Sequence, residues 1–171
     1  MGNNLIKKAR VYVCHTYYHV YVTFLKEFKL REKCRKEGKD SGGATLILSR
    51  MSNDFESLKS RVESTGFFEE VLEFDEKSRD FFPELDKYRK DTGSFMKNMI
   101  NRIIFTKKFA KLEEKYIPVD FRKYKGIYVF CDSDPVGFYL NQNRIRYHAV
   151  EDGLSCLKNY DTARCDNRGH F

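Results

Sequence analysis

The stretch ARVYVCHT, residues Ala9–Thr16, decides the fold. Its apolar side chains, many of them β-branched or aromatic, follow one another almost without interruption. A strand that is apolar on both faces is typical of the middle of a parallel sheet, because helices cover such a sheet on either side. We therefore predict a central parallel strand that ends in the polar pair His15 and Thr16.

The remaining chain alternates between helical and strand patterns. After a helix predicted from about Tyr18 to Glu37, further strands are predicted at Ala44–Ser49, Phe67–Phe74, Gly126–Asp132 and Arg144–Asp152. Strands that alternate with helices in this way predict the α/β class and a Rossmann-like doubly wound parallel sheet. A chain of 171 residues suits one core, so we expect residues 1–171 to form a single domain.

Two helices carry more detailed predictions. In the first, Val20, Phe24 and Phe28 recur at the spacing of an inner apolar stripe. The second is predicted to begin after Asn53 or Asp54, because either side chain can cap a helix N-terminus.

Polar residues follow the predicted strands at the points where the strands end. They are His15 and Thr16, then Ser49, then Asp132–Asp134, and finally Glu151–Gly153. Right-handed crossovers place the carboxyl ends of parallel strands at one edge of the sheet, which is where open α/β sheets bind ligands. We therefore expect these segments, which are distant in sequence, to form one site.

The segment VEDG, residues Val150–Gly153, has two interpretations. In the simpler one, Glu151 or Asp152 caps a following helix and Gly153 supplies a permissive backbone. In the other, one carboxylate is a general base that removes a proton from a sugar hydroxyl, which is a poor nucleophile at neutral pH. The position of the segment, at the end of a predicted parallel strand, favours the base.

Two further patterns can be interpreted as metal ligands. Asp132 and Asp134 form a D-x-D pattern, which can hold a divalent cation against a nucleotide diphosphate but is also ordinary turn chemistry, and we favour the turn. His15 and His19 share a helical face, yet no third ligand at a suitable spacing accompanies them. We therefore expect no metal site, and hydrogen bonds from His15 and Thr16 to a ligand or to the turn.

Several function classes are disfavoured by the sequence. The chain contains no G-x-G-x-x-G, G-x-x-x-x-G-K-S/T or G-x-S-x-G motif, so a standard dinucleotide, ATP or serine-hydrolase site is not expected. The formal net charge is +7, but the lysines alternate with glutamates along helices and no nucleic-acid module is present. We expect no nucleic-acid partner; a basic face is compatible with an anionic membrane surface or an anionic sugar nucleotide.

Composition also bears on the compartment. No window approaches the roughly 18 uninterrupted apolar residues of a membrane span, and no secretory signal is recognisable at the start. The five cysteines are odd in number and contain no C-x-x-C pair. These features predict a cytoplasmic protein, with association at the inner face of the membrane as an additional expectation.

Three segments together resemble bacterial sialyltransferase-type glycosyltransferases of lipooligosaccharide and capsule biosynthesis, the family 52 type and its polysialyltransferase relatives. They are ARVYVCHTYYHVYV (9–22), IYVFCDSD (127–134) and VEDG (150–153). The first resembles that family's first strand and its polar, aromatic junction. The second resembles a later central strand with an acidic end, and the third resembles its short acidic motif.

The resemblance implies an inverting, metal-independent transferase with the GT-B architecture of two Rossmann-like domains. It assigns Asp152, with Glu151 as the alternative, as the base that activates the acceptor hydroxyl. It places His15, Thr16, Asp132, Asp134 and Gly153 around the acceptor glycan. The donor implied is CMP-sialic acid or another nucleotide sugar, and no cofactor is required because a nucleotide monophosphate is already a good leaving group.

One departure from that family limits the expectation. The family's His-Pro motif lies in its C-terminal domain and contacts the donor's phosphate, but this chain contains no His-Pro pair. We therefore expect an acceptor-side domain without the nucleotide-sugar domain, with weak or absent transferase activity alone. Two alternatives remain open, namely a metal-dependent sugar transferase that uses Asp132 and Asp134, and a non-catalytic Rossmann-like binding module.

Overall fold

A computed structural model describes residues 8–52, 54–77 and 82–150. Strands and helices alternate along this part of the chain. The strands are β1 (Lys8–Cys14), β2 (Ala44–Ser49), β3 (Glu70–Phe74), β4 (Tyr124–Val129) and β5 (His148–Ala149). The helices are α1 (Tyr17–Lys36), α2 (Leu58–Ser64), α3 (Asp86–Arg89), α4 (Phe95–Glu113) and α5 (Pro135–Gln142). Short 3₁₀ turns at Pro83–Leu85 and Phe121–Lys123 precede α3 and β4.

All neighbouring strands pair in parallel, in the order β3-β2-β1-β4-β5. The chain moves outward from β1 to β3 and then returns to the other side of β1 to add β4 and β5. The predicted α/β class and Rossmann-like doubly wound sheet are thereby confirmed. The order of strands reverses between β1 and β4, where sheets of this kind open a crevice for ligands.

The central strand β1 is buried on both faces, as its continuous apolar sequence predicts. Val11 and Val13 pack in one cluster with residues of α5, whereas Tyr12 and Cys14 pack in a second cluster with residues of α1 and α2. Side chains alternate between the faces of a strand, so each face of β1 supports its own core. All four side chains are completely buried.

The inner face of α1 differs from the predicted apolar stripe. Val20 is buried, but Phe28 is 61% exposed, and buried Thr23 and Glu27 occupy the inward face instead. Oε1 of Glu27 lies 2.5 Å from Nε of Arg10 and 2.6 Å from the hydroxyl of Tyr12. The helix therefore turns a carboxylate toward β1 because β1 presents a guanidinium and a phenol to it.

Several element boundaries also differ from the predictions. β3 begins at Glu70 instead of Phe67, and β4 covers Tyr124–Val129 instead of Gly126–Asp132. α2 begins at Leu58 rather than after Asn53 or Asp54, because Phe55 and Glu56 have φ angles of 56° and 39°, which do not belong to a right-handed helix. β5 covers only His148–Ala149, although the strand was predicted to begin at Arg144. Arg144 has a left-handed φ of 54° and belongs to the turn that follows α5.

None of the helices in the described ranges combines the length and the apolar character needed to cross a bilayer.

Candidate functional site

The candidate site lies at the carboxyl ends of β1 and β4, the two strands between which the strand order reverses. His15 and Thr16 follow β1 directly, and the segment Phe130–Asp134 connects β4 to α5. Ser49, the last residue of β2, and Glu76, just beyond β3, also take part in the contacts of this edge. The predicted convergence of His15, Ser49 and Asp134 is therefore present in the structure.

His15 is completely buried at the centre of the site. Its Nε2 atom lies 2.9 Å from Oε2 of Glu76 and 3.3 Å from Oδ2 of Asp134. Two carboxylates therefore face the same ring nitrogen, one from beyond β3 and one from beyond β4. Glu76 is buried as completely as His15, whereas the side chain of Asp134 retains 21% of its exposure and faces solvent in part.

Glu76 is held by donors from two further elements. The hydroxyl of Ser49 donates to Oε2, and the backbone N–H of Val136 donates to Oε1 over 2.7 Å. Val136 lies in the first turn of α5, where helical N–H groups lack partners within the helix and favour a negative charge. Glu76 thus ties the ends of β1, β2 and β3 to the start of α5.

His19 and Thr16 stabilise the junction between β1 and α1. The Thr16 hydroxyl accepts a hydrogen bond from the backbone N–H of His19 over 3.2 Å and so caps the helix. Nδ1 of His19 accepts the backbone N–H of His15 over 3.0 Å, and the ring stacks on Phe130 at 4.3 Å between centroids. Thr16 therefore stabilises the turn, which is one of the two roles predicted for it; the other was a hydrogen bond to a ligand.

The two acids of the D-x-D pattern contact different neighbours. Oδ2 of Asp132 accepts a hydrogen bond from the hydroxyl of Tyr147 over 3.1 Å, whereas Asp134 faces His15. Burial of Tyr147, reinforced by the negative charge of Asp132, raises the pKa of that hydroxyl to about 12.

Gly137 allows α5 to approach this loop closely. A Cβ atom at Gly137 would lie 1.9 Å from the carbonyl oxygen of Asp132, so no larger residue fits at this helix start. The segment Asp132–Asp134 is thereby fixed against the first turn of α5, and the partly exposed carboxylate of Asp134 is held over His15.

Within the described residues, two sets of side chains place potential metal-binding atoms within 4.8 Å of one another. One set is His15, His19 and Cys131, and the other is His15, Glu76 and Asp134. Sequence analysis identified the pair His15 and His19 but no third ligand. The other candidate ligands lie far away in sequence, because Cys131, Asp134 and Glu76 follow other strands. Sequence analysis did not identify Glu76, because it is one of several acidic residues near β3. Only the structure shows that its side chain is buried beyond the end of that strand.

Glu151, Asp152 and Gly153 lie outside the described residues. The chain reaches them from β5, which runs parallel to β4, and the N–H of Val150 donates to the carbonyl of Val129 over 2.8 Å. The described chain therefore arrives at position 150 at the carboxyl end of β5, the edge that carries His15 and Asp134.

The sequence matches no protein-family model, and no curated protein or solved structure is significantly similar to the chain.

Proposed function

We propose that the chain is the acceptor-side, Rossmann-like half of an inverting, sialyltransferase-like glycosyltransferase of GT-B architecture, acting in surface polysaccharide or lipooligosaccharide biosynthesis. The observation that carries the proposal is the 3.3 Å approach of His15 to Asp134 across the switch point between β1 and β4. These residues belong to the two longer segments that resemble the family, and the ligand crevice of a doubly wound sheet lies at this place.

The chemistry proposed is the transfer of one sugar to an acceptor hydroxyl. The carboxylate of Asp152, with Glu151 as the alternative, takes the hydroxyl proton while the oxygen attacks the anomeric carbon of the donor. The bond from that carbon to the phosphate oxygen breaks, and a nucleotide monophosphate such as CMP leaves with the electron pair. No metal is needed for this step because no diphosphate charge has to be neutralised.

The described residues have separate roles in this proposal. Asp132 and Asp134 are both partly exposed, which suits hydrogen bonds to acceptor hydroxyls. His15 is fully buried, so its role is to position Asp134 rather than to contact the sugar. Thr16 fixes the turn by capping α1, and Gly153 is proposed to leave room for the acceptor.

The proposed partners are an acceptor glycan, a nucleotide-sugar donor held by a second domain, and the inner face of the bacterial membrane. Membrane association is supported by α4, on which Phe95 is 80% and Ile100 49% exposed. Lys97, Arg102 and Lys107 lie exposed on the same helix. Apolar side chains flanked by lysine and arginine favour the interface of an anionic bilayer.

The test is a transfer assay without added divalent cations. Both the 171-residue chain and the product of the complete reading frame that encodes it are incubated with CMP-sialic acid or UDP-sugars and a panel of fluorescent glycans. We expect Asp152→Asn to lower the rate by about 10²-fold or more, as for a lost general base, and a loss of that size with Glu151→Gln instead would assign the base to Glu151.

Two outcomes would oppose the proposal. Product formation that requires Mn²⁺, and is lost with Asp132→Ala but not with Asp152→Asn, would indicate the metal-dependent sugar transferase. Failure of both proteins to transfer from any donor, together with salt-sensitive binding to a polyanion, would indicate the non-catalytic binding module.

A further inference from the structure

We propose that His15, Glu76 and Asp134 form a binding site for a divalent transition-metal ion at the switch point between β1 and β4. The inference goes beyond the proposed transfer reaction, which needs no metal, and concerns an ion that joins the ends of three strands. It rests on the position of three donor atoms: Nε2 of His15, Oε2 of Glu76 and Oδ2 of Asp134.

The spacing of these atoms fits ligands of one ion. Nε2 of His15 lies 2.9 Å from the Glu76 oxygen and 3.3 Å from the Asp134 oxygen. Two ligands that are each about 2.1 Å from a metal, at angles between about 90° and 109°, lie about 3.0–3.4 Å apart. The three donors also lie within 4.8 Å of one another. Small adjustments of the Asp134 side chain would therefore complete the site.

The donor set indicates the class of metal. Imidazole nitrogen suits zinc, iron, nickel and copper, whereas an all-oxygen site would suit magnesium or calcium. One histidine with two carboxylates therefore favours Zn²⁺ over Mg²⁺ and Ca²⁺, whereas Mn²⁺, which suits carboxylate oxygens, can serve as a paramagnetic probe of the same site. A divalent cation would also neutralise the two carboxylates that face His15, one of which is fully buried.

The surroundings already hold one ligand in place. Glu76 accepts hydrogen bonds from the Ser49 hydroxyl and from the Val136 N–H, and such partners of a ligand orient it and tune its affinity for metal. The side chain of Asp134 retains 21% of its exposure, so it gives the ion a route from solvent. The site therefore combines two buried ligands with one that faces outward.

The second set of donors, His15, His19 and Cys131, is less suited to an ion. Nδ1 of His19 accepts a hydrogen bond from the backbone N–H of His15 over 3.0 Å, so the lone pair of this nitrogen already has a donor. A neutral imidazole that accepts through Nδ1 carries its proton on Nε2, and metal at either nitrogen would break this arrangement. The carboxylate set leaves this hydrogen bond intact, because the ion would bind Nε2 of His15, the nitrogen that already faces Glu76 and Asp134.

The experiment measures metal binding by the 171-residue chain without donor or acceptor, so that its result is independent of transfer activity. The purified chain, stripped of metal, is titrated with Zn²⁺, Mn²⁺, Mg²⁺ and Ca²⁺ in competition with a metal-sensitive fluorophore. We expect one equivalent of Zn²⁺ to bind, with Mg²⁺ and Ca²⁺ at least tenfold weaker. Asp134→Asn is expected to weaken Zn²⁺ binding at least tenfold, because it removes a charged ligand on the exposed side.

The matched control is Asp132→Asn, the neighbouring acid that contacts Tyr147 instead of His15. We expect this variant to bind Zn²⁺ within twofold of the original chain. Less than a tenth of an equivalent of bound Zn²⁺ would overturn the proposal, as would equal losses in the two variants, which would point to the D-x-D pair. As a check that needs no variant, substoichiometric Mn²⁺ should broaden the amide signals of His15 and Thr16 before others, and broadening confined to other regions would contradict the site.

Discussion

The imidazole of His15 and the carboxylate of Glu76 meet across the end of an intervening strand. Nε2 of His15 lies 2.9 Å from Oε2 of Glu76, although β2 separates β1 from β3 in the sheet. Ser49, at the end of β2, donates to the same carboxylate. The pair therefore links three strand ends through buried polar groups. Its loss should destabilise the carboxyl edge of the sheet.

Replacement of Glu76 by alanine is expected to lower the free energy of unfolding by about 3–5 kcal/mol, because buried donors on His15, Ser49 and Val136 would lose their acceptor. Urea unfolding followed by circular dichroism measures the loss. Glu73→Ala, at an exposed position of β3, serves as the control and should cost about 0.5 kcal/mol or less. A loss below about 1 kcal/mol for Glu76→Ala would contradict a structural role for this carboxylate.

The buried ion pair of Arg10 and Glu27 gives a second prediction. Glu27→Leu should cost about 3–5 kcal/mol, because Arg10, which is only 9% exposed, would keep an uncompensated charge. The triple variant Arg10→Met, Tyr12→Phe, Glu27→Leu should recover much of that loss, since it removes the buried guanidinium and the hydroxyl that depend on Glu27. Arg31, whose Nε lies 3.7 Å from Glu27, also loses a partner, but its side chain is 34% exposed and can be solvated. Chemical denaturation of the single and triple variants makes the comparison, and a triple variant no more stable than the single one would refute the pairing.

Cys14 predicts a pH dependence of stability. Burial raises the pKa of its thiol to about 12 in the folded chain, against the opposing effect of the Thr23 hydroxyl. The folded pKa lies above the unfolded one, so the protonated thiol stabilises the fold below about pH 9, and this contribution is lost as the pH rises toward 12. Between pH 8 and 10.5 it should fall by about 2 kcal/mol.

The corresponding measurement is urea unfolding at the two pH values for the original chain, Cys14→Ala and Cys34→Ala. Cys14→Ala should remove this part of the pH dependence, and Cys34→Ala, at a half-buried position, is the control for loss of a thiol elsewhere. Identical pH dependence in all three proteins would show that the Cys14 thiol ionises as easily in the fold as in the unfolded chain.

The exposed apolar face of α4 predicts binding to anionic bilayers. Ile100→Glu combined with Ile103→Glu should reduce sedimentation with phosphatidylglycerol vesicles at least tenfold, because both side chains are about half exposed and would enter the interface. The control Phe28→Ser alters a still more exposed aromatic residue on α1 and should leave binding unchanged. Equal binding to neutral and anionic vesicles, or an equal effect of the control, would argue against this helix as the contact.

The centre of the sheet could be predicted from sequence because β1 and β2 are almost continuously apolar, which indicates burial on both faces. The convergence of His15, Ser49 and Asp134 followed from the geometry of parallel strands alone. The buried polar groups were less accessible, since hydrophobic periodicity does not show which charged residue will turn inward. Glu27 occupies an inner position of α1 where the pattern favoured phenylalanine, and only the facing Arg10 and Tyr12 explain it.

Glu76 could not be singled out for a related reason. Glu73, Asp75 and Glu76 follow one another near the end of β3, and their sequence alone does not show which of them is buried. The burial of Glu76 depends on partners contributed by β1, β2 and α5, which are brought together only in the folded sheet.

The proposed binding of an acceptor at the carboxyl edge can be tested directly by nuclear magnetic resonance. The ¹⁵N-labelled chain is first screened on a glycan array and then titrated with a glycan that it retains, while its amide signals are followed. We predict the largest shifts at His15, Thr16 and Asp132–Asp134, around the switch point. Retention of no glycan, or shifts confined to the opposite edge near Gly42 and Gly43, would contradict an acceptor site at the ends of β1 and β4.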